Sequence, residues 1–137
     1  KNNARAYIHL NRRNAQEVAL ASIQQYAKLV SEGNSYQGYR VWDSACGGNR
    51  ARGYKPLWVV NVDSKDPEYL KTVIELVNEC RGAEENKVRY QIPTLHGYHL
   101  ITIGFDVQQF SQKLAIKNMD PIDIQKDNPT LLYYATV

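Results

Sequence analysis

The run Pro56-Leu57-Trp58-Val59-Val60-Asn61-Val62-Asp63 constrains this chain more than any other segment. It is nearly all apolar, with β-branched residues at its centre and a proline and an aspartate at its ends, so it reads as a strand buried on both faces. Such a strand belongs inside a sheet, and the rest of the chain has to cover that sheet.

The flanking sequence supplies suitable elements. Asp66 caps a helix that has Pro67 at its first position and Leu70, Val73, Ile74 and Val77 as its buried stripe. Lys87-Val88-Arg89-Tyr90-Gln91-Ile92 alternates, Pro93 ends it, and Tyr98-His99-Leu100-Ile101-Thr102-Ile103 follows as its hairpin partner. Asp106 with Gln109 opens another helix, whose Val107, Phe110 and Leu114 point inward. Ile122-Asp123-Ile124 and Leu131-Leu132-Tyr133-Tyr134 read as short closing strands around the turn 126–129. Upstream, Arg5–Leu10 reads as a strand, and a helix capped by Asn14 and Glu17 runs to Gly33. Tyr39-Arg40-Val41-Trp42 reads as a second strand.

The expected fold class is therefore α+β: a mixed sheet containing a ferredoxin/RRM-like βαββαβ unit, preceded by a β-α-β segment. At 137 residues the chain is expected to form a single domain, with halves at 1–56 and 57–137. No apolar run approaches the roughly 18 residues of a membrane span, and no signal-peptide core follows Lys1–Arg5, so the expected location is cytoplasmic. Cys46 and Cys80 have no zinc-type spacing and read as free thiols.

Charge is distributed unevenly. Residues 1–56 hold nine Lys/Arg against three acids, a net +6, whereas residues 57–137 are net −3. That asymmetry suits a polyanion on one half and a cation such as a metal ion on the other; a solvated surface is the plainer explanation.

Three positions suggest chemistry. Asn61 and Asp63 share a face at the exit of the buried strand, where hard oxygen donors suit Mg²⁺ or Mn²⁺; the plainer explanation is that Asp63 begins the turn and caps the next helix region through Ser64 and Asp66. Gly97-Tyr98-His99 brings an imidazole to the start of a strand after a tight turn, a place for phosphate contact or acid–base work and also for an ordinary half-buried histidine. Asp123 lies between two isoleucines, and if its strand neighbours the one ending at Asp63, both carboxylates approach one metal.

Across residues 57–124 the combination resembles the catalytic palm of the archaeo-eukaryotic primase superfamily, with Asn61-Val62-Asp63, Gly97-Tyr98-His99 and Ile122-Asp123 at the matching positions. The resemblance implies a nucleotidyltransferase in which Asp63, His99 and Asp123 are catalytic and Asn61, Asp63 and Asp123 hold Mg²⁺ or Mn²⁺. It also implies a nucleoside triphosphate and DNA or RNA as partners, and an additional replication-associated domain or subunit. Residues 57–137 would be the palm half and 1–56 a basic flanking half. Asn61 departs from the family pattern: a neutral amide replaces the first acid and weakens a two-metal site.

The glycine-rich segment Cys46–Lys55 carries Arg50, Arg52 and Lys55, which with Arg12 and Gly97 are the expected contacts to phosphates of a primer, template or nucleotide; a surface connection is the plainer explanation of the segment. It lacks the P-loop pattern. Two other readings compete. One is a non-catalytic module binding single-stranded nucleic acid through the basic half and exposed tyrosines. The other is a cysteine hydrolase using Cys46, His99 and Asp43, which has no local support.

Overall fold

The computed structural model describes residues 3–49, 55–126 and 130–136. The elements run β1 (Asn3–Ile8), α1 (Ala15–Ser31), a 3-10 segment (Ser35–Arg40), α2 (Val41–Gly48), β2 (Leu57–Val62), α3 (Pro67–Glu79), β3 (Val88–Pro93), β4 (Tyr98–Ile103), α4 (Val107–Ile116), β5 (Asp123–Gln125) and β6 (Thr130–Thr136). They form two compact units: residues 11–54 are one, and residues 1–10 with 55–137 are the other. Among the described residues, no helix is long and apolar enough to cross a membrane.

Three caps set the helix starts where the sequence places them. Asn14 accepts from the Glu17 N–H, Asp66 from the Glu68 N–H and Asp106 from the Gln109 N–H. Each satisfies an orphan donor, and loss of such a cap costs about 1 kcal/mol. In the larger unit the four-stranded sheet has the order β3-β4-β2-β5, and β1 pairs with β6 as a separate two-stranded ribbon. Among the described residues every strand pairing is antiparallel. The βαββαβ order from β2 to β5 thus gives the ferredoxin-like arrangement, with β2 hydrogen-bonded on both edges.

The core explains why β2 has to be central. Val60, Val62 and Leu100 face α3 and α4 and join Leu70, Val73, Leu76, Val77, Phe110 and Leu114 in one cluster. Trp58, Phe105 and Phe110 continue it, with successive ring centroids 5.5 Å apart. On the opposite sheet face, Val59 and Ile101 are buried as well. Both faces of β2 are therefore removed from water at its middle, and each fully buried valine contributes about 1.5–3 kcal/mol.

The smaller unit differs from expectation. Tyr39–Trp42 is not a strand: it spans the end of the 3-10 segment and the start of α2. Its four residues are too few to distinguish a period of 2 from one of 3.6, and the wider window settles it, because Val41 and Ala45 bury at helical spacing. No second strand of a β-α-β segment is present among the described residues, and with it goes the parallel pairing of a mixed sheet. Cys46, Gly47 and Gly48 likewise belong to α2 rather than to a loop, and the Asn49 amide donates to the Ala45 carbonyl at its end. Cys46 is half-buried and Cys80 is buried. Burial pushes the Cys80 thiol up, and its S–H donates to the Leu76 carbonyl, which marks it as a packing residue.

One defect sits in this core. Thr102 is fully buried beside Trp58 and Val88, and its hydroxyl has no hydrogen-bond partner. Thr102→Val, close in shape, removes that desolvated group and is expected to raise unfolding stability by about 1 kcal/mol, read as a higher urea midpoint at unchanged m-value.

Candidate functional site

The site follows from strand register. Asn61 of β2 stands opposite His99 of β4 on one side and Asp123 of β5 on the other. Residues directly opposite in an antiparallel sheet point to the same face, with Cα atoms about 4.5–5.5 Å apart. His99, Asn61 and Asp123 therefore form a row across three strands, on the face turned away from α3 and α4. Ile92 of β3 extends the row. Asp63, two residues beyond Asn61, lies just past the strand end, and the Asn61 amide donates to both its carboxylate oxygens, at 3.3 and 3.2 Å.

Asp63 directly follows β2 and opens the turn into α3, in which the Ser64 hydroxyl accepts from the Asp66 N–H and Asp66 caps α3. Asp63 stays exposed beside Asn61. Asp123 is also exposed and accepts from the Gln125 amide at 3.0 Å. His99 is half-buried, and its Nδ1 lies 3.0 Å from the Thr130 hydroxyl on β6. Desolvation lowers the His99 pKa, while the nearby Asp63 carboxylate opposes that shift. Tyr69 of α3 has its phenol pushed up, mainly by burial and then by Asp120 and Asp63.

Gly97 shapes the site by having no side chain. A Cβ there would come within 1.9 Å of the Val62 carbonyl oxygen and 2.7 Å of the Ser64 nitrogen. The departing end of β2 thus lies directly against the hairpin turn, where Thr94 N–H donates to the Gly97 carbonyl and Gly97 N–H to the Thr94 hydroxyl. This contact carries Asp63 past the sheet edge beside His99. The role of Gly97 is close packing of backbone on backbone.

Lys55 does not reach this row. Lys55 precedes β2, and the strand alone puts about 13 Å between Leu57 and Asn61. Its ammonium pairs with Glu84, which Arg89 also engages. Arg12 is exposed in the smaller unit, and Arg50 and Arg52 lie outside the described residues. The turn 126–129 falls largely outside them too, only Lys126 being described.

The donor set suits a hard cation in kind, with two carboxylates flanking an amide. Among the described residues, however, no group of three or more His, Cys, Asp or Glu could hold a metal ion. Thr130, Gln125 and Asp120 complete the surroundings without having been singled out in the sequence. Asp120 was accessible in principle, as the first acid of Asp120-Pro121-Ile122-Asp123. Thr130 was not, because the approach of β6 to His99 has no local signature.

Compared with known proteins, the chain matches no family model, and no curated protein or solved structure is similar to it at a significant level.

The same substitution at two glycines has opposite expected signs. Gly97→Ala forces backbone movement and is expected to cost about 1–3 kcal/mol. Gly47→Ala, inside α2 with nothing within 4 Å, is expected to gain about 0.5–1 kcal/mol. Urea unfolding of the two variants measures both.

Proposed function

We propose that the sheet face bearing His99, Asn61 and Asp123 binds a nucleoside triphosphate with Mg²⁺ or Mn²⁺, as a compact primase-like palm serving a DNA or RNA partner in the cytoplasm. The observation that supports this reading is the three-strand row, with Asp63 hydrogen-bonded to its central member. Such a row offers hard oxygens at one end and a nitrogen donor at the other, the two kinds of group that a metal–triphosphate needs.

In this reading Asp63 and Asp123 hold the ion, and the Asn61 carbonyl contributes as a neutral ligand. The ion supplies charge neutralisation at the phosphates. His99 donates to a phosphate oxygen. Asn61 hydrogen-bonds Asp63 and keeps its carboxylate aimed along the row. With an amide where the primase pattern has its first acid, the site carries one negative charge fewer. Binding is expected to survive this change better than nucleotidyl transfer, and Asn61→Asp to strengthen metal affinity. A replication-associated subunit or domain would supply what the row lacks.

A second reading rests on different residues. Tyr36 and Tyr39 are each 73% exposed in the smaller unit, and the Arg40 guanidinium lies 5.3 Å from the Tyr39 ring centroid. Exposed aromatic and cationic side chains are the parts of a stacking platform for single-stranded nucleic acid.

Calorimetry with ATP, with and without Mn²⁺, separates the two. The palm reading predicts Mn²⁺-dependent binding that Asp63→Ala and His99→Ala each weaken at least tenfold. Unchanged affinity in both variants contradicts it. Oligonucleotide binding that is steep in salt and indifferent to Mn²⁺ and ATP, and that Tyr36→Ala and Tyr39→Ala reduce, supports the stacking module instead.

A further inference from the structure

Among the described residues His99 has one side-chain hydrogen bond, and it assigns the two ring nitrogens different tasks. Nδ1 lies 3.0 Å from the Thr130 hydroxyl, and Thr130 is 1% exposed at the start of β6. Among the described residues, no other group hydrogen-bonds the Thr130 hydroxyl, and none hydrogen-bonds His99 Nε2. A buried hydroxyl has one hydrogen to place, and leaving it without an acceptor forfeits its hydration. If Nδ1 carried the proton, Thr130 would accept from it and its own hydrogen would have no partner. If Nε2 carries the proton, the Nδ1 lone pair accepts the Thr130 hydrogen and both groups are satisfied.

We infer that Thr130 is a positioning residue that holds His99 as the Nε2–H tautomer, so that the imidazole meets a ligand of the row as a hydrogen-bond donor. That the acceptor is a phosphate oxygen rests on the nucleotide reading above; the tautomer assignment does not. β6 thereby acquires a role at a site otherwise built from β2, β4 and β5: it supplies one buried hydroxyl that orients the donor.

Long-range ¹H–¹⁵N correlation spectra of the labelled chain, recorded without ligand at neutral pH, read the tautomer of each histidine directly. The expected result is a predominant Nε2–H form for His99, with mixed tautomers for the exposed His9 and His96. Thr130→Val removes the hydroxyl at nearly constant shape and is expected to release His99 into a tautomer mixture, whereas Thr130→Ser restores the Nε2–H form. A predominant Nδ1–H form in the wild-type chain overturns the proposal, and this reading requires no variant to fold. A Thr130→Val spectrum identical to wild type overturns it also. Mn²⁺–ATP titration of the same samples keeps the two ideas apart. A roughly tenfold loss in Thr130→Val, recovered in Thr130→Ser, supports both the positioning role and the phosphate acceptor. A wild-type chain with the expected tautomer but no ATP binding sustains Thr130 as the positioning residue and removes the nucleotide reading alone.

Discussion

The pairing of β2 with β4 on one edge and β5 on the other is the constraint on which the rest depends. It is set by burial. Val59 must be covered on one face and Val60 and Val62 on the other, so a slip of one residue would put the whole helix-facing set on the wrong side. The register that satisfies the valines also places Asn61 between His99 and Asp123. The polar row thus comes from the same pairing that buries the hydrophobic core, with no further device needed to align three side chains from three strands. Gly97 then allows the chain leaving β2 to pass against the hairpin turn, which brings Asp63 to the end of that row.

Most of the larger unit was legible in the sequence, because its signals are long or redundant. β2 shows as an apolar run, α3 and α4 show as caps followed by a helical stripe, and β3 and β4 show as alternation broken by Pro93. Each of these combines periodicity with a chemical stop. Tyr39–Trp42 had only four residues and no stop, and helical burial of Val41 and Ala45 prevailed there. The candidate site was legible to the extent that its members lie on strands whose order follows from the βαββαβ pattern. Lys55 illustrates the opposite case: its charge suggested phosphate binding, but its place before β2 and its pairing with Glu84 hold it at the far end of the strand. Thr130 has no such pattern, since the contact of its hydroxyl with His99 joins residues 31 positions apart in the chain.

Within the site, the electrostatics favour a neutral imidazole beside exposed carboxylates. Desolvation dominates at His99 and outweighs the attraction of Asp63, while Asp63 and Asp123 each retain an amide donor as a partner. Tyr69 shows the reach of the same negative charge, its phenol being held up by burial and by Asp120 and Asp63. Two exposed carboxylates, Asp63 and Asp123, thus stand beside the Asn61 amide at this end of the sheet.

Cross-strand NOEs in the labelled chain report this register without reference to any ligand or function. Residue 61 is expected to show backbone contacts to both residue 99 and residue 123. Contacts to 98 and 122 instead would mean a one-residue slip, which would put Asn61 on the opposite face from His99 and Asp123 and contradict the row on which the site is built.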